Sequence, residues 1–286
     1  MSLSAENVVA ASNAMTWVPD TAVTEETDEY WLARLPDYFD PPLRLLRFTP
    51  AGPVAPALTA VLDRARRFGL PELEWSVRLG SPPEARGLLE ARGAKITETL
   101  DVLALELARG APALPPPARD VSVRWATGLP AITEASEVTV AVFGGSLPPP
   151  ERLAELAKRD RAAIPAGQGG QVVAYAGETP VGTGGVIMAG RVARLWGGAV
   201  IQAARGKGVY RATLAARLEY GAAHGATMAL VNARVETSGP ILRRAGFTSY
   251  GQELRYRVRL LLTDPVVGGS TELRRIPSIR MEVAAS

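Results

Sequence analysis

The apolar and polar residues follow two spacings along the chain, and each spacing predicts one kind of element. Short apolar runs bounded by turn residues are typical of strands, whereas apolar residues three and four positions apart are typical of helices. Strands are predicted at 43–48, 73–79, 96–107, 171–176, 181–188, 192–201, 227–233 and 251–261. Helices are predicted at 56–68, 82–92, 132–142, 151–164, from the loop at 205–210 to about 224, and at 240–245. Their order predicts an α+β fold with a mixed, mostly antiparallel sheet flanked by helices.

A proline-rich stretch at 111–120 divides the chain into two predicted domains. Its three consecutive prolines cannot continue a helix or pair in a central strand, so we expect a stiff linker. The expected parts are a domain at 15–110, a domain at 121–262 and a tail at 263–286. Residues 1–14 are left out of the expected fold, because Ser12-Asn13-Ala14 before Met15 resembles a protease-cleavage scar ahead of a native start. The alternative is that the resemblance arises by chance.

The two predicted domains share one block of elements in the same order. In each block a strand leads to a serine closely followed by proline, then to a short helix, a glycine and another strand. Serine is a favoured N-cap, proline fits the first helical turn, and glycine is favoured just after the last turn. The blocks begin near Glu74 and Leu230, and their shared order predicts an internal duplication.

The composition excludes several classes of site. The chain has no cysteine and a single histidine, His224, which excludes disulfides, thiolate or multi-histidine metal sites and cysteine nucleophiles. No metal is therefore expected. The net charge of +3 comes from 32 basic and 29 acidic residues that are interleaved, so no nucleic-acid partner is expected. No apolar run is long enough to cross a bilayer and no secretory signal is recognisable, so we expect no membrane partner and a cytoplasmic location.

The stretch that is most informative about function is Arg205-Gly-Lys-Gly-Val-Tyr210, between a predicted strand and a predicted helix. Small residues let successive backbone N–H groups turn toward one ligand, and the helix N-terminus adds partial positive charge. Arg205, Lys207 and Arg211 add three formal charges. The stretch suits an anion such as a pyrophosphate. The alternative is a plain strand-to-helix turn that contains glycine and binds nothing.

This loop resembles the pyrophosphate-binding loop of the GNAT superfamily of N-acetyltransferases, whose pattern is Arg/Gln-x-x-Gly-x-Gly/Ala. Further along, Ser238-Gly-Pro-Ile-Leu-Arg-Arg-Ala-Gly-Phe247 resembles the helix and Gly-Phe step that usually follow in that family. The resemblance covers about 121–262 and implies a GNAT fold with acetyl-CoA as co-substrate. The domain at 15–110 resembles the end of the same fold without its phosphate loop, which implies a degenerate copy.

The resemblance also implies which residues hold acetyl-CoA. The backbone at the end of the strand would bind the pantetheine arm in the manner of an added strand, and the loop amides would bind the pyrophosphate. The implied residues are Ala199, Val200 and Ile201 for the arm, and Arg205, Gly206, Lys207, Gly208, Val209, Tyr210 and Arg211 for the pyrophosphate. The thioester would lie where the strand from Val192 parts from the strand from Thr227, and an amine would attack it directly.

Two positions depart from the family pattern. Tyr210 stands where the loop pattern ends in Gly or Ala, and we expect its ring to point away from the phosphates. Leu242 stands where many members carry a tyrosine that protonates the leaving thiolate. Glu236 is a candidate base and Tyr250 a candidate acid. The alternatives are a favourable charge at a helix N-terminus for Glu236 and packing at a sheet edge for Tyr250.

The expected function is that of an acetyl-CoA-dependent N-acetyltransferase that acts on the amine of a small molecule. The alternative is a catalytically silent GNAT-like protein that binds acyl-CoA or a protein partner, and the replacement at Leu242 favours it. Acceptor choice varies across one fold, so the sequence predicts neither a particular amine nor an oligomeric state.

Overall fold

The fold is one continuous sheet of eleven strands with helices packed on it. The computed structural model describes residues 3–14, 16 and 18–260. Within these ranges the strands are β1 (Val23–Glu26), β2 (Tyr30–Arg34), β3 (Leu43–Phe48), β4 (Glu72–Val77), β5 (Lys95–Glu106), β6 (Val121–Trp125), β7 (Gly169–Ala176), β8 (Thr179–Ala189), β9 (Val192–Val200), β10 (Met228–Arg234) and β11 (Thr248–Arg259). The helices are α1 (Ala5–Ala14), α2 (Val54–Arg66), α3 (Glu84–Ala91), α4 (Leu129–Phe143), α5 (Pro150–Ala163), α6 (Val209–Ala223) and α7 (Ser238–Arg244). The predicted mixed sheet flanked by helices is confirmed, and the predicted tail at 263–286 lies outside the described residues.

Helices cover both faces of the sheet in the second half of the chain. On β10, Val231 packs in one core with Leu242 of α7, whereas its neighbour Leu230 packs with Val8 of α1. Side chains alternate between the two faces along a strand, so α1 and α7 lie on opposite faces. The strand registers extend this division across the sheet. Helices α6 and α7 cover one face, and α1, α4 and α5 cover the other.

The two halves of the chain exchange their last strands. The sheet order is β1-β2-β3-β4-β11-β5-β10-β9-β8-β7-β6. Strand β11 of the second half therefore lies between β4 and β5, and β5 of the first half lies between β11 and β10. Tyr256 of β11 is fully buried in the core that Trp75 forms with α2 and α3. The predicted boundary at 111–120 remains a prediction, and the sheet is common to both sides of it.

The exchange relates two similar blocks, β3-α2-β4-α3-β5 and β9-α6-β10-α7-β11. In each block a helix connects two parallel strands, and the final strand pairs antiparallel with the other block. The loops that precede α2 and α6 differ. In the first block the Ala51 N–H donates to the Glu29 carboxylate at 2.9 Å, so the hydrogen bond of this amide is already made to a side chain of the protein itself. The loop before α2 thus differs from the loop before α6, because one of its amides is already bonded to a side chain of the protein.

Four elements, α1, β1, β2 and β6, are absent from the predicted set. Residues 5–14, which the expected fold leaves out, form α1, and this helix buries Val8 and Ser12 completely. Its sequence is mainly alanine and valine with little amphipathic contrast, so its docking depends on the apolar strand residues beneath it. Tertiary contact therefore decides this helix.

Candidate functional site

The loop between β9 and α6 has the geometry of an anion site. Gly206 and Gly208 adopt φ of 81° and 80°, a conformation that favours glycine. Among the described residues, no acceptor takes a hydrogen bond from the backbone N–H groups of the six residues 206–211. Arg205 and Lys207 are exposed beside them. Unpaired amides at a helix N-terminus with two cations alongside are suited to a phosphate group.

The predicted proline-rich linker is packed against this loop. The Ala118 N–H donates to the Lys207 carbonyl at 3.0 Å, and Arg211 Nε donates to the Pro115 carbonyl at 3.4 Å. A methyl group on Gly208 would lie 2.8 Å from the Cα atom of Pro117. The segment 115–118 therefore fixes one side of the loop and requires glycine at position 208.

We expect Gly208→Ala to lower the free energy of unfolding by about 2–4 kcal/mol, because alanine is strained at this φ and collides with Pro117. Gly206→Ala is the matched control, since Gly206 has nearly the same φ but, apart from its two chain neighbours, no described residue has an atom within 4 Å of the added methyl group. Its expected cost is the backbone strain alone, about 1–2 kcal/mol. Urea unfolding measures both. Equal costs would show that the proline segment does not press on the loop.

The parallel strands β9 and β10 part just before the loop. Their pairing ends at Arg194 opposite Leu230, while β9 continues beside β8. A register shift and a φ of 60° at Gly197 mark a bulge in β9 beyond this point. The two strand ends therefore form an open gap whose wall on one side is the β9 backbone.

The pairing of β9 with β8 decides which of the three predicted pantetheine-binding residues has its backbone groups directed into the gap. The Ile201 N–H donates to the Val181 carbonyl at 3.0 Å, and Ala199 is paired with Thr183. Backbone groups alternate in direction along a strand, so Ala199 and Ile201 point toward β8 and only Val200 points into the gap. The role of these residues stays a prediction, and Val200 is the one of the three whose backbone groups face the gap.

Tyr210 turns its ring toward the sheet and not toward the loop amides. A methyl group on Gly198 would lie 3.0 Å from the ring, so the absence of a side chain at Gly198 makes room for it. The phenol lies beside the fully buried Arg217, which donates to the Thr213 carbonyl at 2.9 Å and to the Trp196 carbonyl at 3.3 Å. Burial raises the pKa of Tyr210 against the opposing effect of this guanidinium.

The predicted catalytic residues lie in different surroundings. Glu236 is exposed in the turn between β10 and α7, two residues beyond the end of β10. Tyr250 lies on β11, which β5 separates from β10, and its hydroxyl group donates to the Leu3 carbonyl at 3.4 Å. Tyr250 is therefore separated from the gap by β5, and it is not part of the proposed site. Leu242 is fully buried in the core under α7.

A polar cluster that the sequence reasoning missed lies on the α1 face. Glu253 of β11 accepts a hydrogen bond from Asn232 Nδ2 at 2.7 Å and lies 3.7 Å from Arg78 Nε. Arg194 of β9 donates to the Ser12 carbonyl at 3.4 Å, and burial together with Arg78 lowers its pKa to about 10. The sequence feature that could have revealed this cluster is the presence of Arg194, Asn232 and Glu253 within strands that are otherwise mainly apolar.

Neither a metal site nor a membrane-spanning helix occurs among the described residues. In the ranges 3–14, 16 and 18–260, no group of three or more His, Asp or Glu side chains is placed to hold a metal ion. Across the same ranges, no helix combines the length and the apolar character that crossing a membrane requires. Two surface hollows of about 320 and 310 Å³ contain none of the predicted site residues.

Comparisons with known proteins support the fold. No model of a protein family matches the chain, and no curated protein does. A GCN5-related N-acetyltransferase from Kribbella flavida is 16% identical at a TM-score of 0.62, over 90% of this chain and 96% of that one. Another from Sphaerobacter thermophilus is 18% identical at 0.59, over 82% of each chain. A tandem GNAT protein from the clavulanic acid biosynthesis pathway is 17% identical at 0.58, over 90% and 89%. The chain therefore has the fold of the GCN5-related N-acetyltransferases, and its two related blocks resemble a tandem arrangement of that fold.

Proposed function

We propose that the protein is an acetyl-CoA-dependent N-acetyltransferase that acetylates the amine of a small molecule. The observation that carries the proposal is the run of six amides at 206–211 that have no acceptor among the described residues, placed at the end of a strand that parts from its parallel neighbour. A phosphate site next to an open strand edge suits a ligand with a pyrophosphate and an extended amide-containing arm, which is the chemistry of coenzyme A.

The residues of the second half hold the co-substrate in this proposal. The loop amides bind the pyrophosphate, with Arg205 and Lys207 supplying charge, and the Val200 backbone binds an amide of the pantetheine arm. This leaves the thioester in the gap beyond Arg194 and Leu230. The acceptor amine then approaches from the α1 face, because α6 and α7 cover the other one.

The transfer itself needs one bond to form and one to break. The amine nitrogen attacks the thioester carbonyl, the C–N bond forms, and the C–S bond breaks with its electron pair on sulfur. An ammonium group gives up two protons in all, one to a base and one to the thiolate of coenzyme A. The site contributes chiefly by holding the amine and the thioester together.

Acid catalysis by a tyrosine at the end of α7 is absent, since Leu242 occupies that position. A thiol of coenzyme A has a pKa close to the value of about 8.5 for free cysteine, so its thiolate leaves with modest help. Glu236 is the proposed base. Its exposed position favours proton transfer through water to the solvent.

The test measures thiol release from acetyl-CoA with a panel of small amines. We expect release that depends on the amine, and Glu236→Gln should lower kcat by about tenfold because the amide cannot accept the proton. The KM for acetyl-CoA should not change. Glu178→Gln, at the exposed β7–β8 turn, is the matched control and should behave as the wild type.

The alternative function is that of a silent acyl-CoA-binding protein, which the buried Leu242 favours. The two functions differ in turnover and not in cofactor binding. Calorimetric binding of acetyl-CoA without thiol release across the whole panel would favour the silent protein. Absence of binding would overturn both.

A further inference from the structure

The polar cluster on the α1 face combines groups from both halves of the chain. Arg78 follows β4, whereas Arg194, Asn232 and Glu253 lie on β9, β10 and β11. The cluster therefore brings two guanidinium groups together with one carboxylate, and the side chain of Glu253 is 6% exposed. Burying charges of both signs costs free energy unless each charged group has a hydrogen-bonding or ionic partner.

Ser12, near the C-terminus of α1, supplies partners of both kinds. Its carbonyl oxygen accepts hydrogen bonds from Arg78 and Arg194, and its hydroxyl group donates to Glu253 at 3.3 Å. The last carbonyl groups of a helix have no partner within it and carry partial negative charge. One residue thus offers an acceptor to the arginines and a donor to the carboxylate.

The same pairing would suit a ligand that carries a carboxylate and an ammonium group on the same carbon atom. A carboxylate takes the place of the Ser12 carbonyl between the two arginines, which prefer a full negative charge to a carbonyl dipole. An ammonium group takes the place of the hydroxyl group at Glu253. It also reaches Asn232 Oδ1, a buried oxygen that has no partner among the described residues.

We propose that the acceptor of this protein is a free α-amino acid, which binds to Arg78, Arg194, Asn232 and Glu253 in place of the C-terminal turn of α1. The proposal rests on the proposed acetyltransferase function. It places the amine near the thioester, because Asn232 lies two residues beyond Leu230, where β10 parts from β9. Helix α1 then competes with the acceptor for one site.

The experiment compares each L-amino acid with its α-amide at saturating acetyl-CoA. We expect kcat/KM for the acid to exceed that for the amide at least about tenfold, since the amide lacks the charge that the arginines recognise. Arg194→Gln should remove most of this preference at unchanged acetyl-CoA affinity. Arg194→Lys, which keeps the charge, should retain part of it and guards against a folding defect.

A separate variant tests the competition between α1 and the amino acid for the site. Ser12→Ala removes the hydrogen bond to Glu253, so the turn should leave more easily and the KM for the amino acid should fall about threefold to fivefold. Asn13→Ala, an exposed neighbour on the same turn, is the control and should leave the KM unchanged.

Three results would contradict the inference while leaving the acetyltransferase function intact. They are equal kcat/KM values for acids and amides, a full preference in Arg194→Gln, and an unchanged KM in Ser12→Ala. Loss of acetyl-CoA binding in the wild type would instead overturn the proposed function.

Discussion

Lys207→Glu is expected to weaken acetyl-CoA binding by about tenfold to a hundredfold. Lys207 is exposed in the loop whose six amides at 206–211 have no acceptor among the described residues. The substitution replaces attraction to a pyrophosphate by repulsion at short range, and screening at physiological ionic strength reduces the effect without removing it. Isothermal titration calorimetry measures the dissociation constant.

Lys158→Glu is the matched control for this charge reversal. Lys158 is an exposed residue of α5, outside the loop, and its replacement changes the net charge of the protein by the same amount. We expect it to leave the affinity unchanged. Equal affinities of wild type and Lys207→Glu would contradict the location of the cofactor, whatever the acceptor is.

The segment 15–110, expressed alone, is expected not to fold. Its β4 and β5 do not pair with each other, because β11 lies between them and contributes Tyr256 to the core of the first half. Without β11 that core is open, and two strand edges have no partner. Circular dichroism should show no cooperative thermal transition for the segment and one transition for the full chain.

The control for this experiment adds the second half of the chain as a separate segment. Co-expression of 15–110 with 111–286 should restore a folded complex, since the missing strand returns in the partner segment. A cooperative transition in 15–110 alone would show that β4 and β5 can close on each other. The exchange would then be dispensable for folding.

The local elements of this protein were largely predictable. The loop at 205–210, the helix after it and the Gly-Phe step at Gly246-Phe247 all lie where the pattern predicted them. Their signals are local, because a glycine at positive φ, an apolar stripe or a proline at a helix start acts over a few residues. The order of these elements predicted the mixed α+β sheet, and the resemblance of the loop and of the Gly-Phe step to the GNAT pattern implied the GNAT fold.

The proposed acceptor site was not predictable in the same way. Arg78, Arg194 and Glu253 are far apart in the chain, and each alone reads as a charged residue at the end or within a strand. They form one cluster only because β4, β11, β10 and β9 lie in the same part of one sheet. The partners of each charged residue are therefore decided by the order of strands in the sheet and not by the spacing of residues along the chain.

The sequence by itself determined the kinds and order of most elements and the glycine loop at 205–210, since these depend on backbone preferences and on the period of apolar residues. The tertiary structure alone decided the exchange of β5 and β11, the docking of 115–118 on Gly208 and the burial of Ser12. The physical reason is that related blocks offer equivalent edges to a strand. Which of these edges the strand joins depends on side-chain packing across the whole sheet, and a local sequence pattern does not contain that information.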